Sequence, residues 1–183
     1  MRILLGLLSV AYASVVRYGS HISLIHVQSD HLLNSLTKIQ WAHGGQIVTG
    51  ISKGSDNEVV GSATWIVRAP VKNTATLSAK KLPYFTTQPG VPKESKDVFA
   101  AKPAGTPIRC GDEVKMEHAE SGLILSVLDQ KSQITRGLEV VGLSADDRDD
   151  TFVVECAQDH WDTKAPVKFR LNGEYLSSDS KAM

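Results

Sequence analysis

Apolar and polar residues alternate with a period of two in short runs along the chain: His21 to His26, Gln46 to Ile51, Thr64 to Val67, Glu113 to His118, Leu138 to Leu143, Thr151 to Glu155 and Val167 to Leu171. Successive side chains of a strand point to opposite faces, so each run predicts a short strand with one buried face. Gly44-Gly45, Gly54 to Asn57, Asp146 to Asp150 and Asn172-Gly173 supply turn chemistry between them. A helix needs apolar residues at i, i+3, i+4 and i+7 over about ten positions or more, and no such stretch follows Ala13. The pattern predicts an all-β chain.

The runs also echo one another. Arg17, Gly19, Ile22, Leu24 and His26 align with Arg109, Gly111, Val114, Met116 and His118 at a constant offset of 92 residues. At the same offset Val48 falls on Val140, Gly50 on Gly142 and Ile51 on Leu143. Each unit closes on a strand with an aromatic in the same place, Thr64-Trp65-Ile66-Val67 and Thr151-Phe152-Val153-Val154. A third opening follows 53 residues after the second, with Val167 and Phe169 on Val114 and Met116. A unit of about 50 residues with about four short strands cannot bury its own apolar face, so three of them predict a three-fold closed β architecture.

Two irregularities modify this picture. Residues 70–104 hold five of the seven prolines and six lysines with few large apolar side chains, which predicts a flexible surface insertion between the first two units. Tyr84 and Phe85 make a docking segment conceivable there, but a solvated linker is the plainer expectation. The third unit lacks its last two strands, which reads as truncation or as an open sheet edge.

Composition narrows the function classes. A chain of 183 residues suits one domain burying roughly 70% of its unfolded surface. Basic and acidic side chains balance at 20 each, so no global field argues for nucleic acid or an anionic membrane as partner. The stretch MRILLGLLSVAYAS has a basic start at Arg2, an apolar run from Ile3 to Val10 and a small-x-small pattern at Ala11-Tyr12-Ala13, which predicts a signal peptide over residues 1–13. That run is shorter than the ~20 apolar residues a membrane span needs. Cys110 and Cys156 are then an even pair in an oxidising compartment, expected to form a bridge rather than two free thiols. Closing a loop of about 45 residues would stabilise the fold by about 4 kcal/mol in the chain-entropy model.

The unit opening from Val16 to His26, the stretch from Gly45 to Gly50 and the closing Trp65-Ile66-Val67 together resemble the MIR repeat. Gly105 to His118 is especially similar to the second MIR repeat of the stromal cell-derived factor 2-like proteins. The resemblance implies a β-trefoil built from repeats over residues 14–69, 105–160 and 161–183, the third apparently truncated. It implies that the first and last strands of a unit run side by side, which would place Cys110 beside Cys156. It also implies residence in the endoplasmic reticulum lumen, or secretion, with a luminal chaperone and its J-domain co-chaperone, or unfolded polypeptides, as partners. Family members commonly carry Leu-His-Ser-His in the second strand, whereas this chain has Leu33-Asn34-Ser35-Leu36 and Ile124-Leu125-Ser126-Val127, so a ligand site built on those imidazoles is not carried over. The cysteine of the family's first repeat is Tyr18 here.

Candidate binding residues are few. His26 and His118 recur between units and could contact a ligand, although a half-buried histidine bonded to backbone at a barrel end is the plainer reading. Gly19 and Gly111 suit a turn with positive φ better than a phosphate cradle, since no Lys-Ser/Thr follows them. Trp41, beside His43 and a glycine turn, is the aromatic expected to be exposed, while Trp65 is expected in the core. Ser35, His43 and Asp56 can be assembled into a triad only on paper, and Asp146 to Asp150 lacks the pattern of a calcium loop. The expectation is a non-catalytic interaction module with no cofactor or metal. The alternatives are a glycan-binding trefoil, or a luminal segment related to the protein O-mannosyltransferases.

Overall fold

The computed structural model describes residues 14–41, 44–53, 63–70, 102–132, 137–145 and 150–177. The expected signal peptide, residues 71–101 of the insertion, His43, Asp56 and residues 146–149 therefore lie outside the described residues. Among the described residues ten strands follow in chain order: β1 (His21–Ile22), β2 (His31–Gln40), β3 (Gln46–Ser52), β4 (Trp65–Arg68), β5 (Glu113–His118), β6 (Ile124–Lys131), β7 (Leu138–Leu143), β8 (Phe152–Cys156), β9 (Val167–Leu171) and β10 (Glu174–Tyr175). All strand pairing is antiparallel, and the chain is all-β as its alternation predicts.

The pseudo-three-fold relation is written in backbone hydrogen bonds. Val16 N–H donates to the Trp161 carbonyl at 2.8 Å, Trp161 N–H to the Ile108 carbonyl at 3.0 Å, and Ile108 N–H to the Val16 carbonyl at 3.0 Å. These three residues stand 92 and 53 positions apart, the spacing of the sequence echo, and their bonds close a ring. All three side chains are buried, so the ring joins the three unit openings through one core, as a β-trefoil requires.

Each opening then turns the same way. Gly19 and Gly111 have φ of 88° and 92°, a region that costs other L-residues a steric penalty. Their N–H groups donate to the Val67 and Val154 carbonyls, both at 2.7 Å, and so tie each turn to its own closing strand. First and closing strands consequently lie side by side: Ile22 pairs with Trp65, and Val114 with Phe152. Each closing strand also pairs with the next unit's first strand, Val67 with Met116 and Val154 with Phe169.

This double use of the closing strand puts Trp65, Val67, Phe152 and Val154 in the core, each at most 1% exposed. Full burial of such a side chain is worth about 1.5–3 kcal/mol. The same packing places Cys110 beside Cys156, which form a disulfide with a Cα–Cα distance of 5.4 Å. In unit one the place of Cys110 is taken by Tyr18, whose buried hydroxyl donates to the Glu113 carbonyl at 3.1 Å.

Two details depart from the alternation. The run His21 to His26 yields a two-residue strand and an isolated bridge at Ile25, whereas its counterpart β5 is six residues long. β5 is flanked along its far edge by β4, and among the described residues no strand pairs with the corresponding edge of unit one. Conversely, β2 and β6 carry no clean alternation yet form long hairpins with β3 and β7, because hairpin pairing and the join of β3 to β7 at Gln46 and Gly142 hold them.

Candidate functional site

The two recurring histidines occupy the same corner in their units. His26 Nδ1 lies 2.8 Å from Ser29 Oγ, and His118 Nδ1 lies 2.9 Å from Ser121 Oγ. The backbone N–H groups of Ser29 and Ser121 donate to the same nitrogens at 3.3 and 3.4 Å. A backbone N–H can only donate, so in this arrangement Nδ1 is the acceptor and the neutral ring carries its proton on Nε2. Asp30, with φ of 55°, and Gly122, with φ of 70°, complete the two corners. His-x-x-Ser is thus a turn-holding device, visible in HVQSD and HAESG once the serines are counted with the histidines.

The corners differ in surroundings. His118 is fully buried, and its ring meets Trp65 edge to face at a centroid distance of 5.2 Å. His26 is half-buried. The third unit turns on Asn172 and Gly173, both with positive φ, and has Leu171 where the histidine would stand.

Trp41 follows β2 directly and is half-buried rather than the exposed ring expected of it. Its backbone N–H donates to the Gly45 carbonyl at 3.1 Å, and its carbonyl accepts from Gly44 N–H at 2.9 Å, closing the hairpin tip. Its indole Nε1 is buried without a hydrogen-bond partner among the described residues. Trp65 and Trp161 are core residues, Trp161 packing edge to face on Phe169 at 5.2 Å.

The groups considered for chemistry have structural partners. Ser35 Oγ accepts from Gln46 Nε2 at 2.6 Å and donates to the Ile47 carbonyl at 3.3 Å, so it holds the β2–β3 hairpin. Asp150 accepts the Val127 N–H at 2.7 Å and anchors β6. Among the described residues no group of three or more His, Cys, Asp or Glu side chains could hold a metal ion. No described helix is long and apolar enough to cross a membrane.

Charged side chains decorate the joins between units. Arg68 grips Glu117 through Nε at 2.7 Å and Nη2 at 3.0 Å, and Arg170 Nε meets Glu155 at 2.5 Å. Glu117 and Arg170 are equivalent positions 53 residues apart, so the same diagonal pair is used at both joins with its charges reversed. Near the first turn, burial would raise the Asp112 carboxyl, but Lys102 at 2.6 Å and the Arg109 N–H at 2.8 Å outweigh it and hold the group below its ordinary value. Burial, with Asp112 and Glu113 nearby, pushes the Tyr18 hydroxyl up to about 12.

Comparison with known proteins agrees with the motifs. The chain is 34% identical over 74 residues to stromal cell-derived factor 2-like protein 1 of Bos taurus, and 32% identical over 74 residues to that of Homo sapiens. The matched stretch is 39% of this chain and 34% of each relative, so the chain spans about a third of the curated relatives it matches. No protein-family model matches. In fold, it is similar to an SDF2-like protein from Arabidopsis thaliana, with a TM-score of 0.64 at 20% identity over 88% of this chain and 77% of that one. It is also similar to a Caenorhabditis elegans protein of unknown function, with a TM-score of 0.65 at 19% identity over 91% and 80% of the two chains. A S. cerevisiae protein O-mannosyltransferase complex bound to its sugar donor matches with a TM-score of 0.53 at 18% identity, over 88% of this chain and 20% of that one. The likeness to the stromal cell-derived factor 2-like proteins, read first from the repeat motifs, is borne out.

Proposed function

We propose that this chain is a non-catalytic MIR-type interaction module of the secretory pathway, acting in the endoplasmic reticulum lumen or after secretion. Its partners are a luminal chaperone with its J-domain co-chaperone, or unfolded polypeptides awaiting folding. The observation that carries this reading is the 34% identity over 74 residues to stromal cell-derived factor 2-like protein 1. Two features support binding over chemistry: His26 and His118 are engaged by serines that shape turns, and Ser35 is engaged within a hairpin. The signal-peptide pattern of residues 1–13 and the Cys110–Cys156 disulfide fit an oxidising compartment.

The test is to express the full chain with a C-terminal tag in secretory cells, isolate microsomes, and immunoprecipitate after mild crosslinking. Protection from added protease and recovery of the luminal Hsp70-type chaperone or its J-domain partner are the expected results. A protease-accessible protein that recovers neither would overturn the reading.

A further inference from the structure

The hairpin of unit three turns on the only Asn-Gly step in the chain. Asn172 and Gly173 link β9 to β10 with φ of 51° and 90°, the positive values that a two-residue type I′ turn requires of both its central residues. Both residues are exposed. Among the described residues neither the Asn172 side-chain amide nor the Gly173 N–H has a hydrogen-bond partner. The corners of units one and two are instead tied by His26 to Ser29 and by His118 to Ser121, and neither holds an asparagine.

The other three asparagines are placed differently. Asn34 is fully buried within β2, and Asn57 and Asn73 precede Glu58 and Thr74, whose side chains crowd the backbone nitrogen that follows each asparagine. Glycine has no Cβ, so the nitrogen of Gly173 meets no such obstacle in approaching the neighbouring side-chain carbonyl. That approach requires Asn172 to leave its turn conformation. Resistance comes from the pairing of β10, which is two exposed residues long, and from three further contacts. The Tyr175 hydroxyl donates to Glu155 Oε2 at 3.0 Å, Lys168 Nζ lies 5.5 Å from the Tyr175 ring centroid, and Leu176 N–H donates to the Phe169 carbonyl at 2.9 Å. A hairpin this short and exposed opens locally, well before the core does.

We propose that Asn172 is a site of spontaneous deamidation, and that its conversion releases β10 from the sheet. The Gly173 nitrogen attacks Asn172 Cγ and a new C–N bond closes a succinimide ring. The bond from Cγ to the side-chain amide nitrogen breaks, and that nitrogen leaves as ammonia with the proton that Gly173 gives up. Water, the only co-reactant, then reopens the ring. Addition at Cγ gives aspartate, whereas addition at the Asn172 main-chain carbonyl leaves the chain running through Cγ as isoaspartate. Isoaspartate adds a methylene to the main chain, which a two-residue turn cannot absorb. The register of Leu171 with Glu174 and of Arg170 with Tyr175 is then lost. Either product also places a new carboxylate two residues from Glu174. The modification does not depend on which polypeptide the chain binds.

The test is to hold the purified full chain at mildly alkaline pH and body temperature, with peptide mapping by mass spectrometry at intervals and methylation by an isoaspartyl methyltransferase as the label. Conversion is expected first in the peptide containing Asn172, at least about tenfold faster than at Asn34, Asn57 or Asn73, because only Asn172 precedes a residue without a Cβ. Asn172→Gly, which keeps a Gly-Gly turn of the same kind but has no side-chain amide, is expected to take no label there. In hydrogen exchange the Leu176 N–H is expected to lose its protection in the aged native chain and to keep it in Asn172→Gly held for the same time. An Asn172 amide that survives the incubation, or equal labelling of the native chain and Asn172→Gly, would overturn the modification site. Conversion at Asn172 with Leu176 protection unchanged would overturn the release of β10.

Discussion

Trp65 and His118 face each other across the join of β4 and β5, with ring centroids 5.2 Å apart and ring planes at 61°. Neither is exposed, and the Trp65 indole N–H donates to the Leu33 carbonyl at 2.9 Å. One side chain thereby links the closing strand of unit one, the first strand of unit two and the β2 hairpin. Trp65→Ala is expected to cost about 3–5 kcal/mol in urea unfolding. Trp65→Phe, which copies Phe152 of unit two, is expected to cost less, about 1–3 kcal/mol for the hydrogen bond it abandons. Equal losses in the two variants would mean that the indole N–H, not ring volume, sets the stability of this join.

The disulfide joins the opening turn of unit two to the end of its closing strand, 46 positions away. Cys110→Ser is expected to lower stability by about 2–5 kcal/mol under oxidising conditions and to abolish the difference between oxidised and reduced samples. Thiol labelling with mass spectrometry of the native chain should find neither cysteine free.

The two glycines at the β2–β3 tip separate two physical effects. Gly44 and Gly45 have φ of 89° and 83°, but a Cβ on Gly44 meets nothing within 4 Å, whereas one on Gly45 would lie 3.1 Å from Val141 Cβ. Gly44→Ala is expected to cost about 1–2 kcal/mol for the backbone alone. Gly45→Ala adds overpacking against β7 and should cost at least about 1 kcal/mol more. Thermal unfolding of the two variants side by side measures the difference.

Asp112 makes stability depend on acid. Its pKa is held below its ordinary value in the folded chain, so the folded state binds its proton less readily than the unfolded state. That contribution is present above the unfolded value and is lost as pH falls through the lower folded one. The native chain should therefore lose stability below about pH 4, and Asp112→Asn should start less stable at neutral pH and show a shallower acid limb. The effect is modest, because Lys102 is exposed and its pairing with Asp112 is screened by salt. Urea midpoints from pH 3 to pH 7 give the comparison.

Much of this architecture was legible before any coordinates. Offsets of 92 and 53 residues locate Val16, Ile108 and Trp161, the ring that ties the units together. Alternation identified β5, β7, β8 and β9 because each has one face on the core and the other toward solvent or a neighbouring hairpin. It overestimated β1, because strand length depends on partners at both edges and a period-two pattern carries no information about them. It missed β10, whose two residues Glu174 and Tyr175 are both exposed and pair with β9, with the Tyr175 hydroxyl also donating to Glu155 of β8. The pairing of Cys110 with Cys156 came from likeness to a family, since two cysteines by themselves do not specify adjacent strands. His118 ends β5 as its alternating run predicts, whereas His26 lies one residue past the isolated bridge at Ile25; the partners Ser29 and Ser121 stand at the same three-residue spacing in both units. Trp41 looks exposed from its glycine neighbours, yet it is half-buried, with its backbone bonded to Gly44 and Gly45.

The central claim, binding in place of chemistry, is tested most directly by dilution of a reduced, unfolded secretory polypeptide from denaturant into the purified chain, followed by light scattering and size-exclusion chromatography. The mixture is compared with and without the luminal Hsp70-type chaperone and its J-domain partner. The account predicts reduced scattering and co-elution of the chain with the unfolded polypeptide or with the chaperone pair. Identical scattering in every mixture, with the chain eluting alone throughout, would contradict it.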